Sequence, residues 1–508
     1  MNWNDGYVAD LDYPAAFFAE QSPSHLGIAC ILNGTEPVPP DRPFTYFELG
    51  AGMGLTSNIL AASHPHGRFY SNDFNPAHVA SARQLADEAR LENMTVLECS
   101  FADLAAGAID LPPLDYITMY GIYSWITPSN RQCLVEFIDR YLKPGGIVYV
   151  NYNALPGWTR VLPLQRLLLE HANCNPVPRV AQLEQARELA RGLAEAGAAF
   201  FDGSRQLDYR MASLSRDKAG YLAHEYLNGG WEPLYHADVA GDLAAAGLEF
   251  AGSADLPLAF EGDYLTLQQQ ELLSGMADVR WRETMRDYLL NTSFREDVYV
   301  RGARHMDEQR QDGWLARLGV AMTSVVEGAQ APGAAADADS MAVRQLLDAL
   351  ATGPKTLTEL AGLVGGSLLA VARLAARLSA ADRAKLFFLG SEAADPAPAR
   401  RLNRAIAAQS TFGDHYQALA SPQLGGGLHS GLAQRLVYQC LAQLPADAHP
   451  DAQDIGRRVA TLLQGHFATC VPGSVAEAAL QDLREGLPRT VAAILAHRLP
   501  IWRTLRML

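Results

Sequence analysis

Between Phe44 and Tyr152 the sequence switches repeatedly between short apolar runs and stretches with helical spacing. FTYFELG, GRFYSND, MTVLECS, LDYITMY and GIVYVNY have the length and the β-branched or aromatic content of strands. Between them GLTSNILAASHP, NPAHVASARQLADEARL and SNRQCLVEFIDRYL place apolar residues on one helical face. A helix between two strands carries the chain back to the starting edge, so the strands it joins run parallel. The pattern predicts an α/β fold whose parallel sheet is covered by helices on both faces. KPGG, just before the last run, reads as a turn.

Beyond Pro156 helical patterns dominate, as in VLPLQRLLLEHA and PRVAQLEQARELARGLAEAGAAFF. Strand character returns in LEFAGSAD and REDVYVRGA, separated by the helical TLQQQELLSGMADVRWRETMRDYLLN. These two late runs are expected to complete the first sheet, with the helical inserts forming a cover above it. At 508 residues the chain exceeds what one hydrophobic core organises, so two or three domains are expected. The segment EGAQAPGAAADADS, residues 327–340, is poor in large apolar residues and reads as a linker. After it come three short helical patterns and a strand, AKLFFLG, which suggests a winged-helix-like unit in a mostly helical C-terminal region. The expected division is an N-terminal segment 1–43, an α/β domain 44–305 with helical inserts, a helix and linker over 306–340, and a separately folding region 341–508. A chain ending near Val326 should then stay soluble.

Composition narrows the function. A formal net charge of −15 repels the phosphate backbone that supplies most nucleic-acid affinity, so no nucleic-acid partner is expected. No apolar segment approaches the roughly 20 residues that a bilayer span needs, so no membrane insertion is expected. MNWNDGYVADLDYPAAFF carries acids where a secretory leader carries Lys or Arg, which points to a cytoplasmic location. The 6 cysteines form no C-x-x-C pair. HEYLN, from His224, begins like a zinc-peptidase motif but has Asn228 at the second ligand position. His64, His66 and His78 lack a cysteine or acid at ligand spacing and read as surface histidines. No metal is expected.

In ELGAGMG three glycines follow the first strand. Gly50, Gly52 and Gly54 permit a sharp turn at positive φ and a close approach by a ligand. The following helix lacks a Lys-Ser/Thr pair, which excludes a phosphate-gripping P-loop. Glu48, directly before the turn, would repel a pyrophosphate but suits a cationic ligand. Asp73 ends the second strand at the separation at which an acid meets ribose hydroxyls, and Ser100 and Phe101 end the third, where an adenine would lie. The fourth and fifth strand ends supply Tyr120, Tyr123, Trp125, Tyr152, Asn153 and Trp158 at the same edge of the sheet. Any one of these aromatics could be core packing, but as a group they fit a pocket.

ELGAGMG, the acid in NDFNP and LKPGGIVYVNY resemble the motifs of class I S-adenosylmethionine-dependent methyltransferases. YPAAFFAEQSP, GIYSWI, NYNALPGW and YLAHEYLNGGWEPLYHADVA resemble the bacterial group with a methyltransferase regulatory region, here about 213–300, which includes rickettsial protein lysine methyltransferases. ALASPQLGGGL, near the C-terminus, is similar to the same proteins. The resemblance implies a Rossmann-like domain that binds S-adenosylmethionine and releases S-adenosylhomocysteine. Its cofactor site would comprise Glu48, Gly50, Ala51, Gly52, Asp73, Phe74, Ser100, Phe101, Tyr120 and Gly121. Tyr13, and with it Tyr7, would fold over the cofactor from the N-terminal segment. Tyr120, Trp125, Tyr152 and Asn153 would orient a nucleophile, most simply a protein lysine amine held in a desolvating aromatic pocket. A protein or peptide substrate is thus implied, and a homodimer is left open. Two other readings remain at this point: a small-molecule or peptide O- or N-methyltransferase of a biosynthetic pathway, and a non-catalytic cofactor sensor.

Overall fold

The computed structural model describes residues 15–216, 219–324, 338–445, 450–470 and 486–508. The five expected strands form as β1 (Thr45–Leu49), β2 (Arg68–Asp73), β3 (Met94–Glu98), β4 (Leu114–Met119) and β5 (Leu142–Asn153), and these five pair with one another in parallel. The two late runs join them as β6 (Leu248–Ser253) and β7 (Phe294–Arg301), in the order β3-β2-β1-β4-β5-β7-β6. β7 lies antiparallel to both β5 and β6. The strand order reverses between β1 and β4, which opens a crevice at the carboxyl ends of these strands.

Helices α1 (Pro23–Leu32), α2 (Leu55–Ser63), α3 (Pro76–Ala89), α4 (Phe101–Ala106) and α5 (Pro128–Tyr141) flank this half of the sheet. Their starts are written in the sequence. Asn75 accepts from the Ala77 amide and Thr127 from the Asn130 amide, and a proline follows each cap. The inserts after β5 are α6 (Leu162–Cys174), α7 (Arg179–Glu195), α8 (Arg205–Arg216), α9 (Ala219–Tyr226) and α10 (His236–Ala244). Between β6 and β7 lie α11 (Leu267–Ser274) and α12 (Val279–Leu290). Alternation along the strands splits the interior in two. Tyr46, Tyr116, Tyr149 and Val298 face the core shared with α1 and α2, whereas Phe47, Ile117, Val148, Tyr152 and Tyr299 face the core shared with α5 and α10.

KPGG is not a turn. β5 runs straight through it, and the surplus residues are absorbed where the pairing with β4 shifts register between Leu114 and Tyr116. Gly145 takes a φ of 78° there, a conformation that glycine supplies without strain.

The boundary near residue 340 also needs correction. After α13 (Glu308–Leu315) the chain forms β8 (Leu318–Met322), within the segment read as helix and linker. Past the linker come α14 (Ala338–Leu350), β9 (Lys355–Thr356), α15 (Leu357–Val364), α16 (Leu368–Ala380) and β10 (Ala384–Phe388). β8 is the central strand of an antiparallel sheet, β10-β8-β9. Next follow α17 (Ala397–Gln409) and the hairpin of β11 (Ala418–Ser421) and β12 (Gly426–His429), the stretch quoted above as ALASPQLGGGL. Ser22 donates to the Gly425 carbonyl at 2.5 Å and Ser63 to that of Gly426 at 2.8 Å, so the hairpin sits on α1 and α2. Phe388 packs against Gly27 of α1. One apolar core runs from Leu26, Ile59 and Leu85 to Leu386, Leu402 and Leu419.

A chain ending near Val326 would strand β8 without its partners and expose that shared core. It is therefore expected to be insoluble or aggregated, against the sequence-based expectation. Size-exclusion chromatography giving a monodisperse, folded truncation would refute this. Among the described residues, no single helix is long and apolar enough to cross a membrane.

Candidate active site

The glycine turn leaves β1 at Leu49 and enters α2 at Leu55. Gly50, Gly52 and Gly54 take φ of 64°, 54° and 71°, in the left-handed region that disfavours any residue with a Cβ. Their surroundings differ. A Cβ on Gly50 would collide with Ile122, and one on Gly54 would lie 2.5 Å from the Ala82 Cβ, whereas one on Gly52 would meet nothing within 4 Å. Gly50 and Gly54 are thus small because protein packs against them, and Gly52 because it borders a cavity. That cavity occupies the crevice at the strand ends, and Gly50 and Gly52 form part of its wall.

The turn is tied to the end of β2. The Gly52 amide donates to Asp73 Oδ2 at 2.9 Å, the Ala51 amide to the Asn72 carbonyl at 2.9 Å, and the Gly50 amide to Asn72 Oδ1 at 3.4 Å. Asp73 Oδ1 accepts from the Asn75 amide at 2.8 Å. The carboxylate is thereby fixed at the cavity wall with lone pairs to spare. His78, in the first turn of α3, lines the same wall with its Nδ1 3.4 Å from Asp73 Oδ1, and its Nε2 is buried without a hydrogen-bond partner. A buried orphan nitrogen is costly unless something satisfies it, so the wall suits a polar ligand.

Phe74, Ser100, Phe101, Tyr120, Gly121 and Trp125 complete the expected set at the cavity. Ser100 caps α4 in a capping box with Asp103. Gly121, with φ of 68°, donates its amide to Asn151 Oδ1 at 2.8 Å. Phe18 stacks on Tyr120 with ring centroids 3.4 Å apart, and its amide donates to Thr56 at the start of α2. Phe18 thus ties the chain just before α1 to the cavity-lining Tyr120 and to α2. Tyr13 and Tyr7 lie outside the described residues.

Several expected residues stand elsewhere. Glu48 does not line the cavity; its carboxylate accepts from Gln21 at 3.0 Å and from Ser57, and burial pushes it up to about 7. It pins the underside of the turn rather than meeting a cation. Ala51 contributes its backbone to the turn and is not part of the cavity wall. Tyr152 is not brought to the cavity either: alternation turns it to the α10 side, where its hydroxyl donates to Asp297 at 2.7 Å. Asn153 is buried, its backbone amide donates to Ser124 Oγ at 2.9 Å, and it too is absent from the wall. Tyr123 donates to Asp242, and Trp158 packs edge-on against Trp231 in the core of the insert. His64 is buried against Ser24, and His78 faces the cavity, so neither is a surface histidine; His66 is.

Asn72, Cys99, Ile122, Ile126, Thr127 and Asn130 line the cavity without having been singled out. Asn72 and Cys99 border the residues chosen at their strand ends, which was the available signal. The others depend on the path of the loop from β4 to α5, which has no period to read. For the nucleoside end, Asp73→Ala is expected to weaken S-adenosylmethionine binding by about 1.5–3 kcal/mol, the range for hydrogen bonds to a charged group. Unchanged affinity in calorimetry would remove Asp73 from the site.

Comparison with known proteins agrees with this geometry. Residues 47–148 match the family described as methyltransferase domain, and residues 218–301 match the predicted methyltransferase regulatory domain. The uncharacterized protein sll1526 of Synechocystis sp. is 34% identical over 447 residues, covering 86% of this chain and 88% of that protein. A trans-aconitate 2-methyltransferase of Azoarcus sp. is 28% identical over 210 residues, 39% of this chain and 73% of that one. Among solved structures, PKMT2 from Rickettsia typhi in complex with AdoHcy superposes with a TM-score of 0.67 at 16% identity, over 94% of this chain and 99% of that one.

Proposed function

The chain belongs to the class I S-adenosylmethionine-dependent methyltransferases that carry a methyltransferase regulatory domain, and on that premise we propose that its acceptor is a lysine side chain of a protein. The residues at the crevice fit the cosubstrate. Asp73 and His78 would hold the ribose hydroxyls, Ser100 and Phe101 would flank the adenine, and the Tyr120 end would face the sulfonium. Once bound, the cosubstrate supplies an electrophilic methyl group; the protein's part is to align an acceptor and keep water out. A sensor without turnover is set aside.

The observation that carries the acceptor class is the aromatic cluster around Tyr120, a residue of the cavity wall. Phe18 stacks on one side of that ring, and Phe294 lies 6.4 Å away while itself 40% exposed. Aromatic rings that run from the cavity wall to an exposed residue suit a long side chain that carries a cation on an apolar stem. The R. typhi neighbour bears the name PKMT2, which supports the same reading. We assign the unit of α14, α15, α16 and the sheet β10-β8-β9 to contacts with the protein substrate.

The small-molecule reading draws support from the trans-aconitate methyltransferase. Its named substrate is a tricarboxylic acid, however, and no lysine or arginine is among the described residues that line the cavity, which leaves such an anion without a charged partner. Incubation with labelled S-adenosylmethionine and a bacterial lysate should place label in protein, recovered as methyl-lysine after hydrolysis. Label confined to small molecules would decide for the alternative.

A further inference from the structure

We propose that the glycine hairpin of β11 and β12 is a positioning element of the active site: Gly427 lets Phe17 close against the hairpin, and the chain so fixed holds Phe18 on Tyr120 at the acceptor side of the cavity. This rests on the reading that Tyr120 faces the methyl group and does not require the acceptor to be lysine. It gives the ALASPQLGGGL stretch, far along the chain from the glycine turn, a part in the reaction.

Glycine inside a strand forgoes side-chain packing, so it marks a close approach by another segment. Gly427 lies in β12, opposite Ala420 of β11. A Cβ on it would lie 2.9 Å from Ile59 Cγ2, 3.0 Å from the Leu419 carbonyl oxygen and 3.3 Å from Phe17 Cε1. One on Gly426 would meet the Phe17 ring at 3.7 Å, an ordinary contact. Phe17 and Ile59 therefore rest on the bare backbone of Gly427, and one added methyl group has to push them away. The bonds from Ser22 and Ser63 to the Gly425 and Gly426 carbonyls fasten the hairpin in this place.

Phe17 is joined to the cavity through its neighbour. Phe18 is extended, with φ of −114° and ψ of 103°, so the two side chains point opposite ways, Phe17 to the hairpin and Phe18 onto Tyr120. On the α2 side, Thr56 Oγ1 accepts from the Phe18 amide at 3.2 Å and donates to the Ala16 carbonyl at 3.1 Å. Residues 16–18 are thus held between Thr56 and the hairpin. Thr56 bonds only their backbone, and the hairpin supplies the surface on which the Phe17 ring stops. Gly52, Asp73 and Ser100 of the cavity wall stand on other segments, whereas the atoms nearest Gly427 belong to Ile59, Leu419 and Phe17. A disturbance at Gly427 therefore reaches Phe18 before it reaches the nucleoside end, and a misplacement of about 1 Å in a positioning group can cost about a hundredfold in rate.

The test uses the full chain and reads the total label passed from S-adenosylmethionine to a bacterial lysate, in whichever product it appears. Calorimetry gives S-adenosylhomocysteine affinity, and hydrogen exchange reports on the Phe18 amide. Gly427→Ala should lower transfer by about tenfold or more and speed exchange at Phe18 by about as much, while S-adenosylhomocysteine affinity changes by less than about threefold. Phe17→Leu, which stays apolar but reaches less far toward the hairpin, should lower transfer by about fivefold and keeps the test valid should Gly427→Ala fail to fold. Wild-type transfer in the folded variants, or a loss of transfer matched by an equal loss of S-adenosylhomocysteine affinity, would overturn the proposal, because the hairpin would then serve the fold alone. Tyr120→Leu is the reference: wild-type transfer in that variant, or no transfer by the wild-type enzyme, would remove the premise and the proposal with it. Label found in small molecules instead of protein would end the lysine reading and leave the hairpin's role standing.

Discussion

Gly52→Val is expected to give a folded protein that no longer binds S-adenosylmethionine. The three glycines of the turn separate by what they touch, and only Gly52 faces empty space in the cavity. Valine there would carry a left-handed φ of 54°, a strain of about 1–2 kcal/mol, without any steric clash against the protein itself. Its branches would instead occupy the volume into which the cosubstrate must fit. Affinity should fall at least a hundredfold, about 2.7 kcal/mol or more, with only a modest drop in melting temperature. Gly54→Val should behave in the opposite way, because its Cβ would lie 2.5 Å from Ala82 of α3 and the turn would have to shift. Gly50→Val, which would collide with Ile122, should combine both losses. Calorimetry and thermal melts on the three variants separate these outcomes. A Gly52→Val protein binding within tenfold of wild type would show that the cavity is not the cosubstrate site.

The contrast between these glycines shows what sequence can convey. That ELGAGMG is a sharp turn followed by a helix is local information, carried by residue type and spacing. Which glycine faces the cavity is set by Ile122 and Ala82, from other segments, and no window around residue 50 contains them. Glu48 is a similar case: its position before the turn is evident, but its direction depends on Gln21 and Ser57 closing over it. Tyr152 and Asn153 were half legible. Adjacent residues on one strand point to opposite faces, so they could not both enter one pocket, and period-2 alternation alone predicts that conflict. The cavity residues at the ends of β2 and β3 were readable because the parallel fold requires its crevice there. β8 was not, because a five-residue strand has meaning only through β9 and β10, which lie beyond the linker. The linker composition was real, yet a stretch poor in large apolar residues can join two strands of one sheet as readily as two domains.

The second large effect concerns Arg295, which sits in the regulatory region, away from the cavity wall. Its Nε donates to Asp297 at 3.0 Å, one terminal nitrogen to Asp287 at 2.7 Å and the other to Glu283 at 3.1 Å. Glu283 and Asp287 are one turn apart on α12, while Arg295 and Asp297 lie on β7, so a single guanidinium joins the helix to the sheet. Tyr152 and His236 bond to the same Asp297, which extends the network to β5 and α10. Every one of these groups is buried. Burial pushes the Asp297 carboxyl up, but Arg295, His236 and Tyr152 outweigh it and hold it down at about 2. Asp287 goes the other way, raised to about 6 by burial despite the same arginine. Arg295→Met keeps the volume and removes the cation; Glu283 keeps Arg286, and Asp297 keeps His236 and Tyr152, but Asp287 loses its ion pair, at a total cost of about 3–5 kcal/mol. The pH dependence fixes the sign. In the wild type, Asp297 contributes stability above its ordinary range near 4, and that contribution is lost only as pH falls through about 2. In the variant the buried carboxylates that lost Arg295, Asp287 above all, gain by protonation, so the gap in melting temperature between variant and wild type should narrow as pH falls from 7 to 5. A gap that stays constant over that interval, or a variant as stable as wild type at pH 7, would show that α12 is held to the sheet by apolar packing and that Arg295 merely fills space.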